Sequence, residues 1–200
     1  RESLQGGIRF APSFAAEVPG KPATGLIGLV TSRGANTATV FDKVTVWPQD
    51  PGFQTALEGG VTTLQVLPGS ANLIGGRGVT LRNVPAVSYQ GMKFPGAPQG
   101  LKMACGENPK RVYGERMQAP STRMGNVAGY RQAFMDAQGY RRQWDDYNAG
   151  GRRGDAPEQS LKNDTLAGVM RGDITVNIHC YRADEMAQMI DLSKECGFRI

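Results

Sequence analysis

A single histidine, His179, closes a β-branched run, Ile174-Thr-Val-Asn-Ile178, and is followed directly by Cys180, Tyr181, Arg182 and Asp184. An imidazole at a strand end is a ready metal ligand or proton carrier, although a lone histidine there is ordinarily a satisfied structural one. Lys102 ends the apolar stretch Gly100-Leu-Lys102, where a lysine either snorkels to solvent or turns inward as a ligand. Glu107, five residues on, is a carboxylate that competes with it for the ligand role. Arg123 and Arg182 have the planar fork that grips a substrate carboxylate, or equally a carboxylate of the chain itself.

The other reactive residues are less suggestive. Cys105, Cys180 and Cys196 show neither a Cys-x-x-Cys spacing nor a pairing pattern, and read as free thiols, small and buried. With one histidine in the chain, a structural zinc site has too few donors. Gly69-Ser-Ala-Asn-Leu-Ile-Gly-Gly-Arg-Gly78 offers backbone amides for an anion. It lacks both the Gly-Lys-Ser/Thr ending and a Gly-x-Gly-x-x-Gly opening to a helix, so nucleotide binding is not expected.

At 200 residues and 40% hydrophobic, the chain has enough material for one core, but less than a complete eightfold barrel of about 250 residues. No apolar run reaches the roughly 20 residues of a membrane span. The net charge of +5 is spread along the chain, with local pairs at Arg141–Arg142 and Arg152–Arg153 and with Trp144 and Tyr147 between them. That pattern reads as a solvated helix face and loop, and no nucleic-acid partner is expected. The sequence begins at Arg1 without a charged-then-apolar leader. It names no compartment.

These residues need elements to hold them. Asp50 and Pro51 cap and start a short helix to Glu58, ended by Gly59 and Gly60. Val61–Leu67 is a β-branched strand stopped by Pro68 and Gly69. Gly25–Val30 reads as another buried strand. A Gly/Pro-rich stretch runs on to Gly100, with a short β-like piece at Val79–Leu81. Apolar residues every three or four positions predict helices over 126–148, 159–171 and 182–196, around the strand Ile174–Ile178. Phe198–Ile200 looks like the opening of a further strand. Helix–strand alternation of this kind predicts parallel α/β architecture, with Val61–Leu67 and Ile174–Ile178 as core strands of one sheet.

Four segments together resemble the amidohydrolase superfamily, near its imidazolonepropionase-like branch. They are Gly60-Val-Thr-Thr-Leu-Gln-Val-Leu-Pro-Gly-Ser-Ala-Asn-Leu-Ile-Gly-Gly-Arg-Gly78, Gly100-Leu-Lys-Met-Ala-Cys-Gly-Glu-Asn-Pro-Lys-Arg111, Pro120-Ser-Thr-Arg-Met-Gly125 and His179-Cys-Tyr-Arg-Ala-Asp184. The resemblance implies a partial TIM-type (β/α)8 barrel over 26–200, with remnants of a small β-sandwich over 1–25. It implies hydrolysis of amide or cyclic amide C–N bonds on a small or peptide-like substrate, with a divalent metal, zinc foremost, activating water and polarising the carbonyl. His179 matches the fifth-strand histidine ligand and Lys102 the fourth-strand lysine, with Glu107 as the rival carboxylate. Arg123 and Arg182 are the candidates for holding a substrate carboxylate, with a structural ion pair as the alternative for each. Some bacterial members of such families are exported.

The departures weigh against activity of this chain by itself. Lys21-Pro-Ala-Thr-Gly-Leu-Ile-Gly-Leu-Val-Thr-Ser32 lines up with the family's first strand, yet Val30 and Ser32 stand where a His-x-His pair belongs, and Gly28 where an Asp belongs. Sixth-strand histidine and eighth-strand aspartate positions do not occur in it. At most two ligands remain, against the three protein ligands usual for catalytic zinc. The alternative is therefore a degenerate, inactive barrel fragment serving as scaffold or subunit. A half barrel also has an open sheet edge, which calls for an oligomer or a complementing chain.

Overall fold

The computed structural model describes residues 48–200. The Gly25–Val30 strand, the 1–25 segment and the substituted positions Gly28, Val30 and Ser32 lie outside the described residues. Along the chain run α1 (Pro51–Glu58), β1 (Thr63–Val66), β2 (Ile74–Arg77), β3 (Val79–Arg82), α2 (Tyr89–Met92), β4 (Gln99–Ala104), α3 (Glu107–Gly114), α4 (Arg123–Ala149), α5 (Leu161–Arg171), β5 (Ile174–His179) and α6 (Ala183–Cys196). The fold is mixed α/β. Among the described residues, no helix is long and apolar enough to cross a membrane.

Helix ends follow local chemistry. The Asp50 carboxylate accepts from the Gly52 N–H at 2.7 Å. Thr122 accepts from Gly125 N–H at 3.0 Å and Ser160 from Asn163 N–H at 3.3 Å, each satisfying an amide that the helix cannot. α5 and α6 end on Gly172 and Gly197 in the left-handed conformation, at φ 85° and 72°.

The sheet arrangement corrects the expectation of one parallel sheet. β1 pairs antiparallel with β3 in a two-stranded sheet, while β5 lies in a separate three-stranded sheet of order β2-β4-β5. Only β4 and β5 run parallel there; β2 is antiparallel to β4. The reason is local. β1 finds a β-branched partner in Val79–Arg82 a few residues on, and the pair buries Val66 and Leu81 against Phe53 and Met92 as a small core of its own. Gly69–Gly78 is likewise not one loop, because Ile74–Arg77 forms β2.

The larger core lies on one face of the three-stranded sheet. Leu101, Met103, Val176 and Ile174 meet Tyr130, Phe134 and Ala137 of α4, Leu166 and Val169 of α5, and Met189 and Leu192 of α6. Strand side chains alternate faces, so Gly100, Lys102 and Ala104 of β4 and Asn177 and His179 of β5 point to the face away from these helices. Phe198–Ile200 forms no strand, although Val176 N–H donates to Arg199 O at 3.2 Å along the outer edge of β5.

Candidate active site

The parallel register places the candidate ligands side by side. Lys102 is the register partner of Asn177, and Ala104 that of His179. Lys102 and His179 therefore share the face turned away from α4, α5 and α6, with His179 the last residue of its strand. Both are half-buried. Burial holds the Lys102 ammonium below its usual pKa, and no carboxylate among the described residues pairs with it. Burial, and then the charge of Lys102, push the His179 imidazole below its ordinary value. Both shifts favour the neutral bases, the forms that bind metal.

The rim of the site is polar and aromatic. Asn108 lies 3.4 Å from His179 Nε2. Tyr181 meets the imidazole edge to face, with ring centroids 4.5 Å apart. The buried Asn177 Nδ2, on the same face, has no partner among the described residues. Gly100 leaves room for the side chains that pack over it, since a Cβ there would sit 2.8 Å from Gln65 Nε2 and 2.9 Å from Asn177 Nδ2.

Glu107, Arg123 and Arg182 go elsewhere. Glu107 begins α3 and pairs with Lys110 at 3.1 Å and Arg123 at 3.2 Å, and the Lys110 hydrogen bond leads in holding its carboxyl below the usual range. Arg123 also donates from Nε to Glu185 at 2.6 Å. Arg182 makes a bidentate pair with Asp184, at 2.9 and 2.8 Å, in an exposed position. The structure thus brings Lys102 and His179 together and gives both arginines carboxylates of the chain itself. Glu185, the buried partner of Arg123, carries no sequence signal of its own. It follows Asp184 in the His-Cys-Tyr-Arg-Ala-Asp segment, but its burial is set by helices far away in the chain.

The cysteine expectation is corrected too. Cys105 and Cys180 form a disulfide, and Cys196 is the free cysteine among the described residues. Each bridged cysteine is the residue just beyond a strand end, and the parallel register makes them neighbours across 75 residues of sequence, a pairing that spacing alone does not show. The bridge ties the two strand ends that carry Lys102 and His179. Cys105 N–H also donates to His179 O at 2.7 Å.

The depressed imidazole carries a stability signature in the metal-free protein. Protonating His179 is harder in the folded chain than in the unfolded one, so its contribution is complete above the ordinary value of 6.5 and is lost as pH falls through the lower folded-state value. The urea midpoint should therefore drop more over that window in the parent than in a His179→Gln variant. Equal drops would show that the imidazole is not perturbed.

Two adjacent parallel strands thus carry a lysine and a histidine on one face, with the histidine at a carboxyl end. No family model matches the sequence. The chain is 36% identical over 198 aligned residues to amidohydrolase tasK of Hapsidospora irregularis, an alignment covering 88% of this chain and 20% of that protein. It is 38% identical, with a TM-score of 0.72, to a crystal structure of an amidohydrolase from Thermotoga maritima MSB8, covering 77% of this chain and 39% of that one. The chain thus spans a fifth of one relative's length and about two fifths of the other's. Both likenesses support the amidohydrolase superfamily and, by resemblance, a hydrolase.

Proposed function

We propose that this chain supplies the fourth- and fifth-strand part of a metal-dependent amidohydrolase, built on a TIM-type barrel, that cleaves amide or cyclic amide C–N bonds. The observation that carries the reading is the shared face of Lys102 and His179 on neighbouring parallel strands, turned away from α4, α5 and α6. In a barrel that face is the interior, and the carboxyl end of β5 is where ligands gather.

The donor set fits a divalent ion in part. Burial lowers the pKa of Lys102 and of His179, which favours the neutral imidazole and the neutral amine, and a neutral amine is the form that takes up carbon dioxide as a carbamate with release of a proton. The Asn177 amide on the same face, without a partner among the described residues, is a donor for an oxygen near the site. Among the described residues no group of three His, Cys, Asp or Glu side chains stands ready for a metal, so further ligands would come from elsewhere in a longer protein. When bound, such an ion polarises the scissile carbonyl and makes water a nucleophile at neutral pH. Zinc is the first metal to try. The substrate is a small or peptide-like amide, and exposed Arg182, paired with its neighbour Asp184 among the described residues, is the candidate for a substrate carboxylate.

The test is Lys102→Ala in the full-length protein with a panel of dipeptides and cyclic amides. Turnover should be lost, and added short carboxylic acids should restore part of it by replacing the missing carbamate oxygens. A silent Lys102→Ala with an inactive Glu107→Ala transfers the ligand role to Glu107. A full-length protein that hydrolyses no amide overturns the reading.

A further inference from the structure

We propose that Arg123 and Glu185 form a positioning tie that holds the two strand ends of the site in register, with Glu185 acting through His179 rather than on substrate. The inference rests on the active-site reading above and adds residues that it does not include. Arg123 is the first residue of α4, Glu107 the first of α3, and Glu185 lies in the first turn of α6. One guanidinium thus pins the starts of three helices, donating from Nε to Glu185 at 2.6 Å and from Nη2 to Glu107 at 3.2 Å. α3 begins just after the strand of Lys102, and α6 begins just after that of His179.

The surroundings are built for this. Glu185 is 4% exposed and packs over Gly106, where a Cβ would come within 2.2 Å of its carboxylate; Gly106 itself holds φ 68°. Glycine is required there on both counts. The same face of α4 grips the turn after β4 at two further points. Asn126 Nδ2 donates to Gly106 O at 2.9 Å, and the Tyr130 hydroxyl donates to Ala104 O. Arg123, Asn126 and Tyr130 recur at helical spacing, so one side of one helix sets the path of residues 104–107. Through Glu185, Arg123 extends that hold to the turn 180–182. An arginine whose two carboxylates both come from the chain is spent on geometry, and is not free to anchor a substrate.

The experiment compares the full-length parent with Glu185→Gln, which keeps the shape and removes the charge, and with Arg123→Lys, which keeps a cation but loses the fork that reaches both carboxylates. Cobalt(II) is titrated by visible absorption, and the His179 ring resonance is recorded in the metal-free proteins. Both variants should bind cobalt about 10- to 100-fold more weakly, as when a group supporting a metal ligand is lost. The His179 ring signal should move while the Trp144 indole signal stays. An unmoved ring signal in the variant that folds overturns the tie. So does a moved ring with cobalt affinity at the parent value. A parent that binds no cobalt, with the ring signal still displaced in the variants, overturns the metal reading and leaves the tie standing.

Discussion

Replacing His179 with alanine is expected to abolish amide hydrolysis by the full-length protein while leaving its fold in place. The imidazole is half-buried and is no member of the hydrophobic core; its contacts are Tyr181 and Asn108. Truncating it opens no apolar cavity, so the stability change should stay within about 1 kcal/mol, as for positions outside the core. The loss of activity should be far larger, because this is the one histidine of the chain and no second imidazole can take its place. Steady-state rates with matching circular dichroism spectra decide it. Parent-like turnover would remove this face of the sheet from the chemistry, whatever its likeness to the relatives.

The opposite outcome is expected at Phe134, where stability should collapse without any direct effect on the site. Phe134 is fully buried on α4 and stacks on Phe198, with ring centroids 4.7 Å apart and planes 5° from parallel. It belongs to the larger core, between the sheet and Phe198. Phe134→Ala should cost about 3–5 kcal/mol, a transfer term plus the cavity left behind. Domains of this size hold only about 5–15 kcal/mol in all, so the variant should be partly unfolded at moderate temperature. Urea unfolding should show a lower midpoint with an unchanged slope. A loss below about 1 kcal/mol would mean that the core around α4 collapses onto the gap, as well-repacking sites do.

Much of the local structure was legible in sequence because it rests on local chemistry. The 126–148 periodicity corresponds to α4, Arg123–Ala149, and the helices expected over 159–171 and 182–196 agree with α5 and α6 to within two residues, whereas α2 and α3 carry no such periodic signal. Asp50, Gly172 and Gly197 act as the caps that their residue types suggest. β5 was read one residue short, since His179 itself closes the strand. β2 was missed because Ile74-Gly-Gly-Arg77 has no alternating pattern, and its pairing is supplied by β4 from outside.

Residue identity alone marked Lys102 and His179 as the groups with chemistry to offer, and the alternation of strand side chains implies that each has a definite face. That the two faces are the same one depends on the parallel register of β4 and β5, which is set by contacts across more than seventy residues of chain. The same holds for Cys105 and Cys180, which carry no spacing signal and become partners only when their strands align. Glu185 stayed unremarked for the same cause: a first-turn carboxylate ordinarily faces water, and only the approach of α4 buries it against Arg123. Local propensity determines helices, caps and strand candidates, because their free energy comes from neighbours in sequence. Which strands pair, which charges are buried and which arginine is left for a ligand are decided by tertiary packing, because those energies belong to residues that meet only in the folded chain.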